Sequence, residues 1–529
     1  MQSVRACVPA LVAVVVAPCA TCLAATLEVP SQYPTIQAAV DAAVVGDEVV
    51  VADGLYTGAG NTLITVAKAI TVRSANGAAS CVVDGGYLKS GFITSPGVGA
   101  ATVIEGFTIR RGLDNYQGGG VFVNKGSPTI RDCIITEAYA IAFGGGAISV
   151  TGVGAAPIIE RCVFANNNAG FYGGGIYVSN SAQPTIRECV FIGNMGFGGG
   201  VAIEGTSAHI ERCVFAGNDY GGIRIESGTP STIVNCLFSG NAGAGSGVYA
   251  AYNSADFISS CTFTGNVKGA VGGKMAIVNS ILEGSVSSAG APLPDQIDGS
   301  TVGITINSSD VVGGWAGTGS NNIDADPLFS ILASGTWTAA PTYDAATNTT
   351  VYTDATASLV PGALVGRTFN PKTSQARRLW IVANDETTLR VPGNFSTDVR
   401  PGTHPNLPVE AGAAYVVIDP RPASGSPVID AGDNGAVPRD LVVDLDGNPR
   451  FVDVPSAPDT GIGRAPLVDL GAFERQADVN PADLNEDRMV DAADLGLLLS
   501  AWGGPGGDLD GDGATDGADL GLLLAAWSG

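Results

Sequence analysis

One phrase repeats through the middle of this chain, and its period constrains the fold more than any other feature. Cys133, Cys162, Cys189, Cys213, Cys236 and Cys261 lie 29, 27, 24, 23 and 25 residues apart. They sit in PTIRDCII, PIIERCVF, PTIRECVF, AHIERCVF, TIVNCLF and FISSCTF. Most units open on a glycine cluster, as in GGGVFV, GGGIYV and GGGVAI. A fixed period in the twenties marks a solenoid. The apolar residues alternate, which is a strand period and not a helix period. The spacing therefore predicts three short strands per turn, each turn stacked about 4.8 Å above the last in a parallel β-helix. The 74 glycines and a charged fraction of only 14% suit many short strands joined by tight turns.

Stacking turns every repeated position into a column. The six cysteines form an inward column of small apolar groups. Ile135, Phe164, Phe191, Phe215, Phe238 and Phe263 follow two residues later, and Asn167, Asn194, Asn218, Asn241 and Asn266 five residues later. Stacked asparagine amides can bond one another and the backbone of a buried corner. Before each cysteine the charges alternate from turn to turn. One column reads Arg131, Glu160, Arg187, Glu211 and the other Asp132, Arg161, Glu188, Arg212. Neighbours can pair, so these carboxylates are read as structural.

An open solenoid end is an unpaired edge and needs a cover. Ile36, Ala39, Val40, Ala43 and Val44 fall on one face of an amphipathic helix, with Pro34 at its start and Gly46 at its stop. This helix, the run GDEVVVADGLYTG and the repeated PTIRxCxF units together resemble bacterial right-handed β-helix proteins of the pectin-lyase-like superfamily. The resemblance implies an all-β, right-handed parallel β-helix. NNIDADPLF and SPVIDAGD…DLDGNPR…VDLGAFE are similar to the closing turns of surface β-helix proteins of the choice-of-anchor type. The expected organisation is a signal peptide at 1–24 and a β-helix at 25–330. A small inserted β-domain follows at 331–420, then a closing segment at 421–477 and a separate tail at 478–529.

The tail contains a tandem duplication. Asp483, Asn485, Asp487, Met489, Asp491 and Asp494 form the first copy; Asp508, Asp510, Asp512, Ala514, Asp516 and Asp519 form the second. They occupy positions 1, 3, 5, 7, 9 and 12 of an EF-hand loop, where position 7 offers its backbone carbonyl. Calcium takes six to eight oxygens, so this donor set points to Ca2+. Gly513 fills position 6 of the second loop, whereas Arg488 stands there in the first. Each loop leads into LGLLLSAW or LGLLLAAW. The module resembles type I dockerins, which implies attachment to a cohesin-like scaffold. Positions 10 and 11 depart from the hydroxyl residues often found there, being Ala492-Ala493 and Gly517-Ala518.

Arg5, the apolar run Val8 to Ala17 and Leu23-Ala24-Ala25 read as an export signal, so a secreted or cell-surface location is expected. No apolar run is long enough for an integral membrane protein. The net charge is −24, and from residue 478 onward eleven acidic residues face one arginine. That balance points away from nucleic acid and toward cations. For the β-helix two readings compete: a polysaccharide lyase or glycoside hydrolase, and a noncatalytic surface or binding protein. The chain has two histidines, His209 and His404. One outward face is predicted from the glycine clusters. Phe122, Ile148, Tyr177, Ala202, Arg224 and Tyr249 form one column; Asn124, Val150, Ser179, Glu204, Glu226 and Ala251 form the next. Glu204 and Glu226 are expected to stack about 5 Å apart, a retaining-glycosidase spacing, with Arg224 beside them. Tyr177 and Tyr249 would stack on sugar rings.

Overall fold

The computed structural model describes residues 24–529 except 116–117, 143, 244–245, 252–255, 288–291, 293–295, 300–301, 397–408, 477–481, 483, 485–489, 505, 511–512 and 528–529. The expected signal peptide, apart from Ala24, and His404 lie outside the described residues.

Three parallel sheets wrap a single apolar core. Sheet I has twelve strands, from Thr26–Val29 to Ile304–Asn307. Sheet II has eleven, from Gly54–Tyr56 to Asp310–Val311, and sheet III nine, from Ile64–Val66 to Val271–Gly273. The PTIR segments run in sheet I, the residues after each cysteine in sheet II, and the segments after each glycine cluster in sheet III. A fourth, four-stranded sheet departs from the expected three strands per turn. Sheet IV consists of Leu113–Asp114, Tyr139–Ala140, Asn168–Tyr172 and Met195–Phe197.

The columns form as the repeat predicts. Phe164, Phe191, Phe215, Phe238 and Phe263 stack face to face with centroids 4.7–4.8 Å apart, the spacing of the turns themselves. The amides of Asn167, Asn194, Asn218 and Asn241 each donate to the carboxamide oxygen of the next turn at 2.9–3.0 Å. Each also donates to a backbone carbonyl, as Asn194 does to Phe164 at 2.8 Å. All seven described cysteines are reduced and buried. Burial pushes the thiols of Cys81, Cys162, Cys189 and Cys236 up, that of Cys81 to about 12, so these four stay protonated.

The cysteines do more than fill space. The residue before each one turns left-handed, with φ between 47° and 56° from Asp132 to Ser260, to bend the chain from sheet I into sheet II. This bend aims backbone polar groups inward. The Cys133 thiol donates to the Arg131 carbonyl at 3.2 Å, while the Cys213 amide donates to the Cys236 sulfur at 3.4 Å. Where the column ends, Ser280 and Ser309 take over, accepting the amides of Cys261 and Ser280 at 3.2 and 3.1 Å. The alternating charges pair across turns, Arg187 with Glu160 at 2.5 Å and Arg161 with Asp132 at 2.9 Å. Each exposed pair contributes only about 0–1 kcal/mol, so their main effect is on register.

Helix α1, Ile36–Ala42, covers the first turn. Thr35 caps it, and Ile36, Ala39, Val40 and Ala43 are buried as expected. Val44 is not; it is 60% exposed. The Lys68 ammonium donates to the carbonyls of Val40, Asp41 and Ala43, ending the helix early, and the extended Ala43 carries Val44 outward.

Residues 329–422 build two four-stranded antiparallel sheets around Trp337, whose ring stacks on Tyr415 at 3.9 Å. This unit lies on the outer face of sheet II, sharing a core with Ala165, Ile192, Val214, Ala216 and Leu237. The residue before each asparagine is also left-handed. Under the inserted unit that residue becomes glycine: Gly193, Gly217, Gly240 and Gly265. A Cβ on Gly240 would lie 2.4 Å from the Arg378 nitrogen, and one on Gly217 2.5 Å from the Arg378 carbonyl. The left-handed conformation suits glycine, and the close approach requires it. Residues 426–474 carry one 3-10 turn, Asn434–Ala436, and isolated bridges. They lie along the flank, where Asn279 donates to the Asp433 carbonyl and Thr262 accepts the Ala472 amide.

Gly240→Ala should destabilise the fold by roughly 1–3 kcal/mol and speed proteolysis of the inserted unit. Gly205→Ala, with φ 67° but nothing within 4 Å of the added carbon, should show only the smaller backbone cost. Equal losses in both variants would mean the contact with Arg378 is unimportant.

A second prediction concerns the last turn. Asp310 is fully buried, and its Oδ2 has no hydrogen-bond partner. Burial pushes its carboxyl up to about 7, with repulsion from Asp324, Glu283 and Asp326 adding to it. A raised acid binds its proton more tightly in the folded state. Its contribution is therefore complete below the ordinary value of 3.8 and lost as pH rises through about 7. Thermal unfolding between pH 5 and 8 should show this loss, roughly 2–4 kcal/mol at most, and Asp310→Asn should flatten it.

Candidate functional site: an aromatic face on the solenoid and an acidic tail

Sheet III places Phe122, Ser149, Tyr177, Ala202, Arg224 and Tyr249 in one outward column. Ile148, expected there, points into the core, because that glycine cluster enters its strand one residue later. For the same reason Thr151, not Val150, faces Asn124 in the next column.

Glu204 and Glu226 are not directly opposite each other as the column count expects. The register shifts between Ile203 and Glu204, so Glu204 lies opposite Ser227 and not Glu226. Each glutamate has its own partner: the Tyr177 hydroxyl donates to Glu204, and Arg224 Nε donates to Glu226. Tyr177 is buried at 8% exposure and stacks on Tyr172 with centroids 5.5 Å apart. It is therefore a support, not a free stacking ring. Burial, with Glu204 nearby, pushes the Tyr172 and Tyr177 phenols up, which keeps both hydroxyls as donors at neutral pH. His209 lies in sheet I, 3.2 Å from Glu211 and away from this face.

Alongside the two glutamates the structure gathers aromatic rings. Phe197, 42% exposed, lies at an edge angle to Tyr220 at 5.7 Å and near Tyr172 at 6.3 Å. The Arg224 guanidinium covers Tyr249 at 4.9 Å and Phe197 at 5.5 Å. Phe171 is 45% exposed beside them. Two hollows adjoin this shelf. One of about 690 Å³ is lined by Arg224, Glu226, Tyr249, Lys274 and Asp298; the other, about 370 Å³, by Tyr139, Phe171, Phe197 and Tyr220. Sheet IV and the corner after it supply most of these rings. The repeat analysis passed over them, although AGFYGGG, MGFGGG and DYGG place an aromatic just before a glycine cluster in three consecutive turns.

The tail forms helix α2, Ala492–Ser500, and helix α3, Gly517–Ala525. Asp491 and Asp516 cap them, and Asp494 and Asp519 complete reciprocal capping boxes. Of the predicted ligands, Asp483, Asn485, Asp487, Met489 and Asp512 lie outside the described residues. Asp508, Asp510 and Asp519 present carboxylate oxygens within 4.8 Å of one another. Gly513, at φ 98°, turns the loop between them and donates to Asp508 at 2.8 Å. Three convergent carboxylates, in a loop whose sequence from 508 to 519 has no basic residue, fit a hard cation such as Ca2+. Ala514, at position 7, and Asp516, at position 9, lie on the same loop.

Residues 90–246 and 174–323 match the family described as "Right handed beta helix region". With the three parallel sheets, this match makes residues 90–323 a right-handed β-helix region. No curated protein matches this chain. Among solved structures it is similar to "pectate lyase Pel9A", with 15% identity, 85% of this chain and 96% of that chain covered, and a TM-score of 0.37. "The complex structure of XylC with xylose" matches at 9% identity over 74% and 99% of the two chains, with a TM-score of 0.34. The "PL6 family alginate lyase AlyGC" matches at 13% identity, with 57% of this chain covered and a TM-score of 0.33. That match spans 54% of the lyase's own length.

If the tail folds around calcium, chelation should lower its helicity, because the convergent carboxylates then repel without a cation. Circular dichroism of the full chain, compared with Asp508→Ala, checks this: the variant should lose the calcium-dependent part. A chelator-insensitive signal in the parent would remove calcium from the account of this loop.

Proposed function

We propose that this protein is an exported, glycan-binding β-helix whose calcium-dependent tail fastens it to a partner. The observation that carries the reading is the aromatic shelf. Phe197, Tyr220 and Tyr249 come from successive turns, and Arg224 lies against two of them. A row of rings along a solenoid matches a polymer, which presents one sugar after another at a regular spacing. Rings also provide apolar contact area at low conformational cost. Binding is favoured over bond cleavage because Glu204, Glu226 and Arg224, the catalytic candidates, are engaged with partners inside the fold. Among the described residues no helix is long and apolar enough to cross a membrane.

The attachment reading draws support from a duplicated apolar surface. Leu497, Leu499 and Trp502 are 43%, 52% and 50% exposed; Leu522, Leu524 and Trp527, 25 residues on, are 45%, 53% and 38% exposed. Such repeated apolar exposure marks an interaction surface. A cohesin-like scaffold protein would meet this surface mainly through apolar contacts, since positions 10 and 11 of both loops lack hydroxyls.

A saccharide array run beside a bond-cleavage assay tests the glycan reading. Binding without new reducing ends or unsaturated products is expected. Phe197→Ala and Tyr249→Ala should each weaken binding roughly three- to tenfold. Tyr177→Ala should weaken it through loss of support for Tyr172. Turnover abolished by Glu226→Gln would establish an enzyme, and unchanged binding in both ring variants would make this face scaffold only.

A further inference from the structure

The flanking segment 426–474 buries more negative charge than it balances. Asp430, Asp444, Asp469 and Glu474 are all buried, and the one arginine buried among them is Arg450. Arg450 lies 3.8 Å from Glu474 and donates to the carbonyls of Asp469 and Gly471. Backbone amides serve most of the carboxylate oxygens. Asp469 accepts from Asp430 and Arg475, Glu474 from Val452 and Asp469, and Asp444 from Asp446, Asn448 and Glu474.

Asp430 is the exception. It is fully buried, its Oδ2 accepts the Val454 amide at 3.3 Å, and its Oδ1 has no hydrogen-bond partner. A buried carboxylate oxygen without a donor is costly, and such an orphan calls for a water or an ion. Asp430 also gathers further carboxylates. Asp453, half-buried, and Asp459, exposed, each bring an oxygen so that all three lie within 4.8 Å of one another. Among the described residues none of the three has an ion pair with a basic group, and three such carboxylates repel one another unless a cation lies between them. The depth gradient, from buried Asp430 to exposed Asp459, gives an ion an entry from solvent.

We propose that Asp430, Asp453 and Asp459 form a calcium site, separate from the acidic tail, that clasps residues 451–461 onto Asp430. Calcium fits better than magnesium. The three ligands come from irregular backbone at unequal depth, and calcium tolerates irregular coordination where magnesium demands a near-octahedron. Two oxygens on opposite sides of one calcium are about 4.8 Å apart, which this cluster satisfies. The ion ties down backbone already joined to Asp430, whose carbonyl accepts the amides of Thr460 and Gly461 at 3.1 and 3.0 Å. Through Asp433 and Asn279 the same segment is held on the solenoid flank.

Hydrogen exchange on the full-length protein tests the site, reading the amides of Val454, Thr460 and Gly461 with calcium, with magnesium and with chelator. Calcium at ten times its dissociation constant should slow exchange at these amides about tenfold. Asp459→Ala removes an exposed ligand and leaves the buried network intact; it should abolish that calcium effect. Asp508→Ala/Asp510→Ala, which disables the second tail loop in the full chain, should leave it unchanged. The assignment is overturned if the parent shows no calcium-dependent slowing, if magnesium alone produces it, or if Asp459→Ala retains it. It is overturned equally if the effect disappears with the tail variant.

Discussion

The left-handed corner before each core cysteine is the constraint on which the solenoid rests. From Asp132 to Ser260 the same φ recurs in every turn, and each time it aims backbone polar groups at an apolar interior. Buried backbone groups without partners would cost more than the apolar packing around them supplies. The thiol column meets that need on one corner, and the asparagine column on the other. Once both corners are fixed, the strands between them have little freedom of register. The phenylalanine stack, at 4.7–4.8 Å, is then a consequence of the register as much as its cause.

The same corners explain why the inserted unit sits where it does. The second left-handed position is filled by Glu137 and Asn166 in earlier turns and by glycine in later ones. Only the glycine turns allow the backbone of Arg378 to approach within contact of the corner. Sheet II is apolar on its outer face in those turns, with Val214, Ala216 and Leu237 buried. A surface that would otherwise expose a broad apolar patch is thereby covered. Both changes belong to one event, the docking of residues 329–422.

What could be read from sequence follows from period. A repeated position becomes a column, so the cysteine, phenylalanine and asparagine ladders and the alternating charges were legible. Helix α1 was legible from its apolar face, but its end was not, because Lys68 closes it from the next turn. The register of the two glutamates departs from the count for a related reason. Counting from the glycine cluster assumes an unbroken register, and a shift between Ile203 and Glu204 breaks it. Shifts of this kind depend on how two particular strands meet and leave no mark in a single repeat. The aromatic shelf escaped notice because its rings lie in the segment of variable length that column counting skips. In the tail, the spacing of the aspartates indicated calcium, and the structure brings three of them together.

On the proposed glycan-binding reading, Arg224 is a positioning group on this face. Its Nε donates to Glu226, which holds the side chain along the face. The same guanidinium, lying against Phe197 and Tyr249, is held flat and its charge is shared with their ring faces. Glu226 fixes Arg224, Arg224 fixes the two rings, and Tyr177 with Glu204 fixes Tyr172 beneath Phe197. The charged groups thus position a rigid apolar surface, and a rigid surface loses little entropy when a ligand lies on it. On the proposed reading, that rigidity suits a surface that holds a polymer.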